Sequence, residues 1–181
     1  MKLDVSTGDS LAITGKNGSG KTTLIKILAG IMLPSSGSIE FRYGQDVIEA
    51  ETAARLSGFT APYMNLYDDL DGMENLCFAS ATGRIGPETE ELADRFGLTV
   101  HLGKRVGHYS SGMKQRLKFI AAVMNDPPAL FLDEPETNLD ADGKKAVFSY
   151  IKSVSKRMLV VIATNDIHVK QLCKRSILLG G

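Results

Sequence analysis

The chain has 181 residues, 43% of them hydrophobic and 23% charged, enough for one well-buried domain and short for two independent ones. Its 21 Lys and Arg balance its 21 Asp and Glu, so no global positive field points to nucleic acid, and an anionic ligand has to be held locally. Cys77 and Cys173 fit neither a CxxC metal spacing nor a disulfide framework, no apolar run approaches the ~18 residues of a membrane span, and Met1 to Asp4 lacks the apolar core of a signal peptide. The expectation is a cytosolic chain with buried or semi-buried thiols, able to dock on the cytoplasmic face of a membrane protein.

In chain order, Ser10 to Thr14 is a short apolar run ending at a glycine-rich loop and reads as a strand. Leu24, Ile25, Ile27, Leu28 and Ile31 give a broad apolar helical face from Lys21 to Ala29, which Gly30 is placed to end. Pro34 to Gly37 predicts a turn, 38–43 a strand, 47–56 a helix, and 58–60 the start of an irregular crossing. From Met73 to Phe96 the pattern is helical, broken by Gly83, Gly86 and Pro87. A helix over 111–124, a strand over 129–132, a polar helix over 140–156, a strand over 159–163, a short helix over 168–173 and a strand over 176–179 complete the chain. Apolar strands alternating with helices predict an α/β fold of the P-loop NTPase kind, a mainly parallel central sheet flanked by helices. The expected division is a catalytic core of 1–61 and 114–181, with a small helical subdomain over about 62–113.

Gly15-Lys16-Asn17-Gly18-Ser19-Gly20-Lys21-Thr22, followed by Thr23, satisfies GxxxxGK[ST] between a strand and a helix. Its glycines let successive N–H groups turn around a phosphate, and the helix N-terminus adds partial positive charge. Lys21 is expected to reach the β- and γ-phosphates of ATP, and the Thr22 hydroxyl to ligate Mg²⁺. Ala129 to Leu132 then delivers Asp133, suited to hold Mg²⁺, and Glu134, suited to be a general base for water. Two adjacent carboxylates at a strand end could instead be a solvated turn; the upstream loop favours the site.

Tyr109-Ser110-Ser111-Gly112-Met113-Lys114-Gln115-Arg116 reads alone as a capped helix start. It is similar to the signature sequence of ATP-binding cassette (ABC) ATPases, LSGGQ followed by a basic residue and Gln-Arg, and the interval from Tyr109 to Asp133 matches the family's spacing. Pro34 to Ile39, Leu66 to Leu70 with Glu74-Asn75-Leu76, and Thr137-Asn138-Leu139-Asp140 resemble the family's turn after the P-loop helix, its entry to the helical subdomain and its D-loop. The resemblance covers nearly the whole chain and implies a head-to-tail homodimer or heterodimer of ABC ATPase domains. In such a dimer Ser110, Ser111, Gly112 and Met113 would act in trans and Asp140 would lie at the interface. It also implies transmembrane permease subunits as partners, most like those of bacterial exporters.

Three departures stand out. Thr164-Asn165-Asp166 aligns with the family's Thr-His-Asp, so Asn165 occupies the switch position, where an amide can donate one hydrogen bond but carry no charge. A positioned acid or base is worth ~10² to 10⁴ in rate, so slowed hydrolysis is the expected direction. His168, His101 and His108 read as surface or capping residues. Pro62 stands where the family has a glutamine that senses Mg²⁺ and water, while Tyr63, Met64, Leu66 and Tyr67 could line a groove for a partner's helix or pack the subdomain. The family's N-terminal segment with its adenine-stacking aromatic has no counterpart near Met1, which reads as truncation or as weak base recognition. The function expected is ATP binding and hydrolysis driving a transporter by dimer closure; the alternative is an ATP-gated regulatory clamp with little hydrolysis.

Overall fold

The computed structural model describes residues 2–180. Five parallel strands make the central sheet: β1 (Ser10–Gly15), β4 (Ser57–Thr60), β5 (Ala129–Asp133), β6 (Leu159–Ala163) and β7 (Arg175–Leu179). They lie in the order β4-β5-β6-β1-β7, in register through pairs such as Leu11 with Val161 and Phe131 with Val161. Parallel strands need crossovers, and helices supply them: α1 (Lys21–Leu28), α2 (Ala50–Leu56), α5 (Ser111–Val123), α6 (Ala141–Val154) and the single-turn α7 (Ile167–Lys170).

Alternation along β5 and β6 sends side chains to two separate cores. Phe131, Val161 and Ala163 face Leu11, Ile13, Ile25 and Ala29, the cluster under α1. Leu130, Leu132, Val160 and Ile162 face Leu117 and Ile120 of α5 and Val147 and Ile151 of α6. Each fully buried aliphatic side chain of this size stabilises the fold by ~1.5–3 kcal/mol. The stretch between β4 and α5 holds α3 (Gly72–Ala79), α4 (Pro87–Arg95) and two single 3-10 turns, Thr99–His101 and Val106–His108. Asp71 starts α3 with a reciprocal cap: its carboxylate accepts from Glu74 N–H and the Glu74 carboxylate accepts from Asp71 N–H, both at 2.8 Å. Leu76, Phe96 and Leu98 of this stretch join the α5–α6 cluster, where the Phe119 ring lies 5.2 Å from Phe96 and 5.6 Å from Tyr150.

The expected helix over 47–56 is two elements. Asp46–Ile48 is β3, paired antiparallel with β2 (Phe41–Tyr43) across a turn at Gly44, and α2 begins only at Ala50. The predicted strand over 38–43 shrinks to β2, since only its end finds a partner. The crossing expected at 58–60 is strand β4, edge-paired with β5 from Ser57–Ala129 to Thr60–Leu132. A serine and a glycine hide its strand character. Gly58 is required there because a Cβ would collide with the Ala122 carbonyl of α5. The helices expected over 140–156 and 168–173 are shorter, 141–154 and 167–170, each begun by an aspartate cap, Asp140 and Asp166.

Candidate nucleotide-binding site

The C-terminal edge of the sheet gathers the P-loop, the Asp133–Glu134 corner and the Thr164–Asp166 turn, because β1, β5 and β6 are adjacent and parallel. Gly20 precedes α1 at φ 94°, a left-handed conformation that a side chain would strain, and no side chain caps the helix, so its first N–H groups are left for an anion. A Cβ on Gly18 or Gly20 would meet nothing within 4 Å, which makes the loop an open cradle. The Ser19 hydroxyl is buried in it without a partner. Lys21 is 7% exposed, and its ammonium donates to the carbonyls of Gly15 (2.9 Å) and Lys16 (3.3 Å). A buried cation held by neutral carbonyls, an orphan hydroxyl and a free helix start together fit a polyphosphate. Lys16, Asn17 and Thr23 are exposed around it.

The Thr22 hydroxyl donates to Asp133 Oδ2 at 2.7 Å, joining α1 to β5. Burial pushes the Asp133 carboxyl up from the usual carboxylate range, against the Thr22 hydrogen bond, with Glu134 adding repulsion and Lys21 and Lys26 opposing it. A neutral hydroxyl beside a desolvated carboxylate is the donor set of a divalent cation that completes its shell with phosphate and water oxygens. Glu134 follows in the left-handed region at φ 46°, strained for a glutamate, with its N–H donating to the Ala163 carbonyl at 2.8 Å. The strain turns the chain out of the sheet so that Asp133 and Glu134 project differently.

Asn165 comes to the same loop. Its amide nitrogen lies 3.1 Å from Asn17 Oδ1; turned over, the amide donates to the Gly15 carbonyl and accepts from Lys21 Nζ at 3.3 Å. Pro62 and the exposed Tyr63 follow β4, and Lys26 Nζ sits 4.3 Å above the Tyr63 ring. His101 is half-buried, whereas His108 and His168 are exposed.

Of the residues expected to form the signature, Ser110 caps α5 by accepting from Met113 N–H at 3.2 Å, Ser111 is exposed, and Met113 packs against the α5–α6 core. Gly112 abuts the segment expected to be the D-loop: a Cβ there would lie 2.9 Å from the Asn138 carbonyl. Asp140 is the N-cap of α6, accepting from Gly143 N–H at 2.8 Å.

A groove of about 690 Å³ runs along the start of edge strand β4 and α5, lined by Met64, Leu66, Tyr67, Phe78 and Lys118 among others. Tyr63 is not part of it, but stands over α1 instead.

Two residues escaped the sequence reading. Lys118 donates to the Pro62 carbonyl at 3.0 Å from the middle of α5, and burial, with Lys114 adding repulsion, pushes its ammonium down. Glu136 accepts from the Thr164 hydroxyl (2.5 Å) and keeps its second oxygen buried and unpartnered; burial pushes its carboxyl up. A glutamate after Glu-Pro, in a segment otherwise resembling the D-loop approach, was the available signal for the second; the first had none.

A parallel sheet with a phosphate cradle between its first strand and helix, and an acidic strand end beside it, defines a P-loop nucleotide-binding protein. The family model described as ABC transporter matches residues 1–137. The chain is 36% identical over 99% of its length to the uncharacterized ABC transporter ATP-binding protein YdbJ of Bacillus subtilis (strain 168), covering 60% of that protein. It is 30% identical to the lipoprotein-releasing system ATP-binding protein LolD of Pseudomonas syringae pv. tomato, covering all of this chain and 85% of LolD. The ATP-binding cassette MJ0796, solved as a dimer in a post-hydrolysis state with ADP and Pi, superposes with a TM-score of 0.81 at 25% identity, over 98% of this chain and 83% of that one. The protein belongs to the ABC transporter ATP-binding family. It spans 60% and 61% of the lengths of YdbJ and YxlF of Bacillus subtilis. Among the described residues no helix is long and apolar enough to cross a membrane.

Proposed function

We propose that the chain is the ATP-binding and hydrolysing part of an ABC transporter subunit that closes as a dimer and drives membrane partners. The observation that carries it is the Thr22–Asp133 bond at 2.7 Å beside the buried Lys21, with Glu134 turned out of the strand next to it. The P-loop N–H groups and Lys21 hold the β- and γ-phosphates of ATP. Thr22 and Asp133 would hold Mg²⁺, which would supply charge neutralisation for the phosphates. Glu134 takes a proton from the water that attacks the γ-phosphorus, and the bond to the β–γ bridging oxygen breaks to leave ADP and phosphate. Asn165 steadies the γ-phosphate by hydrogen bonding alone, which slows turnover relative to a histidine.

Ser110, Ser111, Gly112 and Met113 cap the nucleotide of a second ABC ATPase domain, identical or different, with Asp140 near that interface. The ATP-binding cassette MJ0796 is solved as a dimer bound to ADP and Pi, which supports a dimer here. Residues 62–113 form the helical subdomain, and the Met64–Phe78 groove receives the cytoplasmic end of a permease subunit. LolD is named as part of a lipoprotein-releasing system, and a further relative, 32% identical over 97% of this chain, is the macrolide export ATP-binding/permease protein MacB of Syntrophobacter fumaroxidans, of which this chain covers 26%; both names support a permease partner, which would place the chain on the cytoplasmic face. The test is phosphate release from saturating Mg-ATP by the wild-type chain and by Glu134→Gln. A wild-type rate clearly above the variant supports the motor; equal rates with intact ATP binding point to an ATP-gated clamp.

A further inference from the structure

The buried carboxyl of Glu136 has no place in the reaction just described, yet it is tied to the turn that carries Asn165. Its Oε1 accepts from the Thr164 hydroxyl, and the Thr164 oxygen in turn accepts from Asp166 N–H at 2.9 Å. These two bonds bracket Asn165 from both sides. Thr164 is fully buried, and its own N–H donates to the Ile13 carbonyl at 3.0 Å, so β1 holds the near side of the turn. Beyond Asp166, α7 has a single turn, and Ile167 and His168 are exposed. Asn165 itself is exposed, and among the described residues its side-chain hydrogen bonds go to the P-loop, in either orientation of the amide. A neutral amide on an exposed turn reaches a phosphate oxygen reliably only if its backbone is held, since it has no charge with which to compensate for misplacement.

We propose that Glu136 is the positioning residue for Asn165: its carboxyl anchors Thr164 and so aims the Asn165 amide at the γ-phosphate position. The proposal rests on the reading of the site as an ATP site. Oε1 is committed to Thr164, while Oε2 is buried without a partner and burial pushes the carboxyl up. The contact needs an acceptor at Oε1 and not a negative charge, so Glu136→Gln preserves it and Glu136→Ala removes it. Because Glu136 acts through Asn165, the two losses do not add.

The experiment uses the full chain with Glu136→Ala, Glu136→Gln, Asn165→Ala and the Glu136→Ala/Asn165→Ala double variant, each checked for wild-type thermal unfolding. Thr164→Ser keeps both hydrogen bonds and Thr164→Val removes them, the acceptor for Asp166 N–H included, so this pair substitutes if Glu136→Ala does not fold, with loss in Thr164→Val and near wild-type turnover in Thr164→Ser expected. In phosphate release, Glu136→Ala is expected to lower kcat about 10- to 100-fold with KM for Mg-ATP nearly unchanged. Glu136→Gln stays within about threefold of wild type, and Glu136→Ala costs nothing further in the Asn165→Ala background. Additive losses, or a Glu136→Gln as slow as Glu136→Ala, overturn the proposal.

The same variants in a Glu134→Gln background are titrated with Mg-ATP and Mg-ADP, which reads γ-phosphate contact without hydrolysis. The ATP-over-ADP preference is expected to fall by the same factor in Asn165→Ala and Glu136→Ala. A preference that responds to Asn165→Ala but not to Glu136→Ala overturns the proposal, as does one that responds to neither. If the wild-type chain turns over no ATP but this preference responds to both variants, hydrolysis fails as a function while the positioning role stands.

Discussion

Lys118 donates from α5 to the Pro62 carbonyl at 3.0 Å, and one turn earlier Lys114 pairs with Asp68 at 2.6 Å. The segment from Pro62 to Asp68 is therefore held by its backbone and its acidic end to α5. Lys118→Met removes the Pro62 bond and keeps the aliphatic stem. It is expected to cost ~1–2 kcal/mol and to speed amide exchange over residues 62–68 before the rest of the fold. Hydrogen exchange with mass spectrometry checks this; unchanged protection there would show that the tie carries no load.

Lys21→Met leaves the cradle without its cation while keeping the side chain's length. Losing a charge-assisted bond to phosphate costs ~1.5–3 kcal/mol, so Mg-ATP affinity is expected to fall about 10- to 100-fold. Equilibrium titration with ATP provides the check, and an unchanged affinity would place the triphosphate elsewhere.

Asn165→His places a side chain that can carry charge beside the P-loop. Phosphate release is expected to rise, by up to about 10²-fold, with Mg-ATP affinity little altered. A variant slower than the natural chain would mean that the turn is built for the shorter amide.

Gly58→Ala inserts a methyl group where β4 meets the Ala122 carbonyl of α5. The backbone has to shift, at a cost of ~1–3 kcal/mol, and a lowered denaturation midpoint with an unchanged slope is expected in urea.

Cys173 has its thiol pushed up to about 12 by burial. At pH 8 it should resist iodoacetamide in the folded protein and react once the chain is unfolded in guanidinium, as read by mass spectrometry. The sign for stability follows: between the unfolded thiol's value near 9 and about 12, the unfolded chain loses a proton that the folded one keeps. This group's contribution is therefore complete below pH 9 and declines as pH rises above it. Cys173→Ala is expected to flatten that part of the stability–pH curve.

The phosphate loop, the acidic strand end and most helices were legible in the sequence because each depends on local pattern: a GxxxxGKT run after apolar residues, an apolar run ending in Asp-Glu, and apolar residues at helical spacing. The expected parallel sheet followed from the alternation of strands and helices. What stayed hidden depended on partners far along the chain. Ser57–Thr60 has weak strand propensity and is a strand because β5 pairs with it, while Val47 and Ile48 leave a helical pattern because β2 lies opposite. Glu136 and Thr164 stand 28 positions apart and Lys118 and Pro62 stand 56 apart, so their bonds exist only once β5, β6 and α5 are assembled. Sequence by itself determined which residue types could bind phosphate, metal and water. Only the tertiary structure decided which of them are buried, which are held, and by what, because desolvation and hydrogen bonding are set by neighbours that folding brings together.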